Sequence, residues 1–247
     1  PVEGDTLDLF SQEQESETER TLEIITDKAK AKELAAHLED LVTKDGFEFY
    51  VLADGSSQQE YMPVGVAFGT TDGKTSYVPI DNDVLLAQGL TLGTFKEIFG
   101  RVLEHKKPIK CGYDTKYMKH VFANVGINLA GVSDDVMLES YVLEAHRSHT
   151  IEKLGANWLK YELRGEEELL GKGAKKLSFS QVSVEKAAEF ASERVFIVSR
   201  LNRLFKKALS DDAKLEKIYR DIEMPLSDVL FKMEQNGVLI DTKLLDQ

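Results

Sequence analysis

Phe47-Glu48-Phe49-Tyr50-Val51-Leu52-Ala53 has the composition of a strand, and the residues after it set the architecture. Met62 to Gly69 (MPVGVAFG) predicts a second strand. Asp72-Gly73 then supplies a hairpin turn, because both residue types tolerate positive φ. Thr75 to Ile80 predicts a third strand that pairs back. Three consecutive strands with short connections make an antiparallel meander.

Upstream of the meander, Leu22, Ile24 and Ile25 suggest a short strand. Residues 27–43 show helical spacing, with Leu34, Leu38, Leu41 and Val42 on one face and Asp45-Gly46 as the stop. Downstream, helices are expected over Thr94 to His105, Tyr113 to Asn124, Ser133 to Glu144 (opened by Ser133-Asp134-Asp135 as cap), Ile151 to Tyr161, Val184 to Ala208 and Leu215 to Gln235. Ile109 to Gly112 reads as a fourth strand of the sheet. Residues 164–181 read as a loop with three glycines and several basic residues, and Val238 to Ile240 reads as a restarted strand. This order predicts an α/β fold whose mixed sheet, an antiparallel meander plus parallel strands, is flanked by helices.

The 247 residues carry a net charge of −12. The first 20 hold seven acids and one base, and read as an acidic linker. The acidic balance does not favour tight binding to phosphates. No apolar run is long enough to span a membrane, and the N-terminus has no secretory signal, so no membrane partner is expected. The missing initiator Met reads as the mark of a fragment. Cys111, the single cysteine, cannot form an intrachain disulfide; a buried structural thiol in a reducing, cytoplasmic setting is the expectation. The five histidines lack zinc spacing and are expected in surface or packing roles.

Three segments carry a resemblance. The stretch from Ile222-Glu223-Met224-Pro225 through Asn236-Gly237-Val238-Leu239-Ile240-Asp241 closely resembles the segment that opens the polymerase domain of family A DNA polymerases. In bacterial DNA polymerase I that segment joins the 3′–5′ exonuclease domain to the thumb. Asp135-Val136-Met137-Leu138-Glu139-Ser140-Tyr141-Val142-Leu143 is similar to the helix after the second exonuclease motif, and residues 171–181 resemble the loop before the third. The resemblance implies a linker at 1–20, a Klenow-type 3′–5′ exonuclease-like domain at 21–209 with a ribonuclease-H-like five-stranded mixed sheet, and the start of the polymerase domain at 210–247. It also implies a DNA polymerase parent, whose polymerase domain is the expected partner and through which DNA would be met.

In the resembled nucleases, carboxylates converge on two divalent cations that activate water and neutralise the leaving oxygen. A strand supplies Asp-x-Glu, whose two-residue spacing puts both groups on one face. The aligned positions here are Tyr50 and Leu52. Met118 stands at the aspartate of the second motif. In the third, Phe190 replaces the water-orienting tyrosine and Arg194 the last aspartate. A guanidinium stays charged in proteins and would oppose cations. The expectation is a silent, non-catalytic domain with no cofactor, acting as structural support. One alternative is an active 3′–5′ exonuclease with a displaced Mg²⁺ site built from Asp54, Asp114, Asp135 and Glu193. Weighed against that site, Asp54 reads as a turn residue, Asp114 and Asp135 as helix caps, and Glu193 as solvated or paired with Arg194. A third reading is a non-catalytic binding module for single-stranded nucleic acid or protein, with Tyr117, Lys172, Lys175 and Lys176 as candidate DNA contacts.

Overall fold

The computed structural model describes residues 21–42, 46–69, 73–81, 89–107 and 109–239. The linker at 1–20, Asp45, Asp72 and residues 240–247 lie outside them. The meander forms as expected. Strands β2 (Phe47–Asp54), β3 (Met62–Gly69) and β4 (Lys74–Asp81) pair antiparallel, with Tyr50 opposite Ala67 and Ala67 opposite Tyr77. Strand β1 (Thr21–Ile24) runs parallel to β4, and β6 (Lys110–Gly112) parallel to β2.

Among the described residues the sheet has seven strands rather than five, in the order β1-β4-β3-β2-β6-β7 (β7, Val132–Asp135), with β5 (Leu90–Thr91) pairing parallel to the end of β4. Strand β7 (Val132–Asp135) corrects the reading of Ser133 and Asp134 as helix cap. They continue parallel pairing beside β6, and only Asp135 caps α4 (Val136–Leu143). Its run is too short and polar to show a strand period, so the neighbouring β6 decides it.

Both faces of the sheet are covered. On one face Phe47, Phe49, Val51 and Ala53 of β2 pack with α1 (Lys28–Val42), α2 (Leu92–Glu104) and α3 (Thr115–Asn124). Phe47 meets Phe68 edge-on at 5.9 Å, Phe68 stacks on Phe99 at 5.4 Å, and Phe99 stacks on Phe95 at 5.0 Å. Each such pair adds about 0.5–1.5 kcal/mol beyond area burial. On the other face lies α7 (Val184–Ser210), about 40 Å long at 1.5 Å per residue. Gly69 lets it come close: a Cβ there would overlap Val195.

Helix α5 (Ile151–Leu159) packs on α7. Residues 164–181 are not a plain loop. They hold α6 (Glu166–Leu170) and two 3₁₀ turns, because Leu170 and Phe179 anchor the segment in the α7 cluster. The long C-terminal helix is broken into α8 (Ala213–Ile218), a π-helical turn (Tyr219–Glu223) and α9 (Met224–Asn236). Pro225 has no N–H to donate back into the α-helical ladder, and the wider turn absorbs that loss. It also seats Tyr219 in the core, where its hydroxyl accepts from Asp135 N at 2.9 Å. Val238 and Leu239 form no strand and are exposed; Ile240 lies outside the described residues. Cys111 is buried and free, and burial pushes its thiol well above its ordinary range. Among the described residues no helix is long and apolar enough to cross a membrane.

Lys110 is fully buried without a carboxylate beside it. Its Nζ donates to His105 O and Ala130 O, both at 2.8 Å, stitching the end of α2 to the entry of β7. Burial lowers its pKa to about 8 from 10.5. Between those values the unfolded chain binds more protons than the folded one, so this group's contribution to stability rises with pH. We expect the stability of the wild type, relative to Lys110→Met, to climb between pH 8 and 10.5 by on the order of 2–3 kcal/mol. Urea melts of both proteins at three pH values measure this, and a difference that is flat or falling contradicts it.

Candidate functional site

Period-two alternation in β2 turns Leu52 to the α7 face, where it packs with Phe190, Ala191 and Val195. Tyr50 lies at the junction of all three apolar clusters. Residues 190 and 194 are one turn apart on α7 and share a face. The structure therefore brings Tyr50, Leu52, Phe190 and Arg194 together. Met118 is buried in the cluster on the α1–α3 side, which Tyr50 also touches.

Arg194 sits at the centre and is 1% exposed. Its guanidinium carbon lies 3.2 Å from the Phe190 ring centroid and 5.9 Å from that of Tyr50. Nη2 donates to Glu152 Oε1 at 3.0 Å and to Arg164 O at 2.8 Å; Nη1 donates to Phe190 O at 3.3 Å. The buried charge is thus matched by a carboxylate, two carbonyls and aromatic faces. Burial pushes the Tyr50 phenol up to about 12, against a smaller opposing pull from Arg194.

The four carboxylates considered as a displaced site are occupied in other ways. Asp54, ending β2, accepts from Phe179 N at 2.6 Å and Ser180 N at 3.1 Å, so it caps a 3₁₀ turn 125 residues away. Asp114 caps α3 from a left-handed conformation (φ 52°) that aspartate tolerates better than most residues, accepting from Tyr117 N at 3.2 Å. Asp135 is buried and accepts from Thr115 N at 2.7 Å, Thr115 Oγ1 at 2.8 Å, Asp114 N at 3.2 Å and Met137 N at 2.9 Å. It ties the start of α3 to the start of α4. Burial raises the pKa values of both Asp114 and Asp135, opposed by these N–H donors.

Glu193 is neither solvated nor paired with Arg194. It is buried and accepts from the Tyr161 hydroxyl at 2.9 Å. Successive helical residues point about 100° apart, so the neighbours diverge. Asp114 and Asp135 adjoin; among the described residues no three His, Cys, Asp or Glu side chains gather as a group that could hold a metal ion.

The candidate DNA contacts are scattered. Tyr117 packs edge-on against Tyr61 at 4.9 Å. Lys172 pairs with Glu167 at 2.6 Å and Lys176 with Glu166 at 3.8 Å, while Lys175 is exposed. The acids of α6 thus partner the lysines that follow them. The open depression beside Arg194's partner is lined by Glu152, Glu166, Glu167, Glu168 and Lys172, a mainly negative surface.

Sequence reasoning missed Glu152, whose only signal is its place in the first turn of α5. It also missed buried Asp134, which pairs with Lys206 at 2.7 Å and Arg220 at 2.8 Å, and buried Glu139, which burial drives well above the carboxylate range.

Comparison with known proteins gives the family of the fold. The family model described as DNA polymerase I, ribonuclease H-like domain matches residues 62–201. DNA polymerase I of Pseudomonas aeruginosa is 35% identical over 191 residues, covering 76% of this chain and 21% of that protein. DNA polymerase I of Borreliella burgdorferi is 25% identical over 98% of this chain and 27% of that protein. The chain therefore spans only about a quarter of the length of these relatives. Among solved structures, the POL domain of Pol1 from M. smegmatis, in complex with DNA primer-template and dNTP, superposes with a TM-score of 0.70. That match has 22% identity and covers 92% of this chain and 34% of that one. Brucella melitensis NrnC with bound Mg²⁺ superposes at 0.58 with 13% identity, over 90% of this chain and 96% of that one.

Because Asp135 satisfies donors from two helix starts, Asp135→Ala strands buried N–H groups. We expect a loss of about 2–4 kcal/mol, combining a lost cap with unsatisfied buried donors. Chemical denaturation measures it; a loss below 1 kcal/mol would mean the two helix starts do not depend on this carboxylate.

Proposed function

Since the chain belongs to the DNA polymerase I ribonuclease H-like domain family, we propose that it is an exonuclease fold without exonuclease chemistry, kept as a structural base for its parent polymerase. One observation carries the proposal. Where two-metal hydrolysis calls for a carboxylate, Arg194 presents a buried guanidinium held by Glu152, the Arg164 carbonyl and the Phe190 ring.

The donors do not fit hard divalent cations. Tyr50 is a neutral phenol, Leu52 has no donor, and Met118 offers a thioether, whereas Mg²⁺ takes oxygen ligands. Cations would also meet a fixed positive charge that cannot be titrated away. The displaced-site reading loses support because Asp54, Asp114, Asp135 and Glu193 serve turns, helix starts and Tyr161. A strand-binding module has little support either, since the surface beside Arg194 is mainly acidic and would repel phosphates.

On this reading residues 21–209 are the exonuclease-like unit and 210–247 begin the polymerase domain. The partner is the polymerase part of the same polypeptide, which would engage DNA for replication and repair synthesis in the cytoplasm. The apolar residues Leu52, Met118 and Phe190 act as packing in place of ligands, and each fully buried side chain of this size contributes about 1.5–3 kcal/mol.

No metal-dependent hydrolysis of a labelled single-stranded oligonucleotide is expected with Mg²⁺ or Mn²⁺. Tyr50→Asp with Leu52→Glu should stay inactive and lose stability, because two carboxylates enter an apolar junction while Arg194 remains. Cleavage by the wild type that Asp54→Ala or Asp114→Ala abolishes would favour the displaced site. Cleavage by the double variant alone would show that Arg194 does not oppose the metals.

The melting temperature should also be indifferent to divalent cations. A ligand bound only by the folded state stabilises it by about 2.7 kcal/mol at a hundredfold excess over Kd. A midpoint that rises steadily with millimolar Mg²⁺ and returns with chelator would sink the reading.

A further inference from the structure

Helix α9 meets the domain with its polarity reversed. A surface helix ordinarily buries its apolar stripe and turns charge to solvent. Here Ile222, just before α9, and Leu226, Val229, Leu230 and Met233 within it face outward, 38–61% exposed. The side turned to α3 carries Ser227, Asp228, Phe231, Glu234 and Gln235.

The contacts on that inner side are mostly polar and centre on Glu234. Its carboxylate accepts from Lys116 Nζ at 2.5 Å, from His120 Nε2 at 2.7 Å and, at 3.3 Å, from Gln58 Nε2 in the connection between β2 and β3. Gln235 Nε2 donates to His120 Nδ1 at 3.0 Å, which leaves the ring hydrogen on Nε2 for Glu234. Lys119 pairs with Asp228, and Phe231 sets its ring edge-on to His120 at 4.9 Å. Beside α4 the fit is open: a cavity of about 70 Å³ lies between the helices, lined in part by Met137, Leu138, Leu226 and Leu230. Tyr219, by contrast, is wholly buried at the π-helical turn and bonded to β7.

We propose that α9 is a separable arm, hinged at the π-helical turn and held to α3 by a charge latch centred on Glu234, able to open without unfolding the sheet domain. The anchor is Tyr219, the first residue of the hinge. Beyond it the hydrophobic effect contributes little, because Ile222, Val229 and Met233 point to solvent and Leu226 and Leu230 line a cavity instead of a packed core. What holds the arm is a group of half-buried ion pairs and hydrogen bonds, the kind of contact that salt screens and single substitutions break. The inference goes beyond the structural-support reading and does not require the nuclease site to be silent.

Hydrogen exchange on the whole chain tests it, since a local opening shows as fast exchange confined to one element. In the wild type, amides of residues 228–236 should exchange at least tenfold faster than those of α7. Glu234→Ala should speed them at least a further tenfold, as should 1 M NaCl to a smaller extent, with α7 amides and the melting midpoint unchanged. Glu234→Gln, which keeps the shape but removes the charge, should fall between. If residues 228–236 exchange with α7 in every sample, or if Glu234→Ala speeds both alike, α9 belongs to the cooperative core and the latch is wrong. Speeding of α9 by Val229→Ala but not by Glu234→Ala overturns it equally, since the apolar face would then be the anchor.

Discussion

A guanidinium that is buried must find acceptors, because it cannot shed its proton. That constraint organises the centre of this molecule. Arg194 projects from the middle of the long α7 into the junction of three apolar clusters, and the chain surrounds it with what it needs. Helix α5 supplies Glu152, the segment after it turns the Arg164 carbonyl inward, and Phe190 and Tyr50 offer ring faces. Each partner comes from a different element. The pair does not have to add net stability to matter: a lone buried charge costs several kcal/mol, so any packing that left Arg194 unmatched is strongly disfavoured.

The same constraint applies to the carboxylates. Two-metal chemistry needs acids converging on one point and kept apart by cations. Here the acids are dispersed, and Asp54, Asp114, Asp134 and Asp135 receive protein donors, whereas the oxygens of buried Glu139 have none. Asp135 joins two helix starts, Asp114 caps its own helix, and Asp54 reaches across to a 3₁₀ turn. Asp134 is matched by Lys206 and Arg220. Except for the Asp114 cap, each of these contacts ties one secondary-structure element to another, a role that needs no metal. These contacts support the structural role we propose.

Short links also run from Asp135 to the C-terminal helices. Asp135, which fastens α3 to α4, donates its own N–H to Tyr219 at the hinge. Helix α3, whose start Asp135 holds, presents Lys116, Lys119 and His120 to α9. One helix thus has its N-terminus at Asp135 and its outer face against α9.

Local pattern alone determined much of this protein. The strand composition of Phe47 to Ala53 and its two successors set the meander, because a strand with both faces covered leaves a near-continuous apolar run. Asp114 and Asp135 were legible as caps because a short carboxylate reaches N–H groups two or three residues ahead in any fold. The resemblance placed Tyr50, Leu52, Met118, Phe190 and Arg194 at one site, and the fold gathers Tyr50, Leu52, Phe190 and Arg194. Tertiary structure decided what depends on residues far apart in the chain. Ser133 and Asp134 became strand because β6 lies beside them; residues 166–170 became helix because Leu170 had a core to enter. Glu152 became the partner of Arg194, and Glu193 that of Tyr161, across 42 and 32 residues. Nor does the apolar periodicity of α9 say which face meets the domain: Lys116, His120 and Gln58 drew Glu234 inward, and the aliphatic stripe was left outside. A buried charge is stable only with its partner in place, and sequence spacing carries no record of which distant group that partner will be.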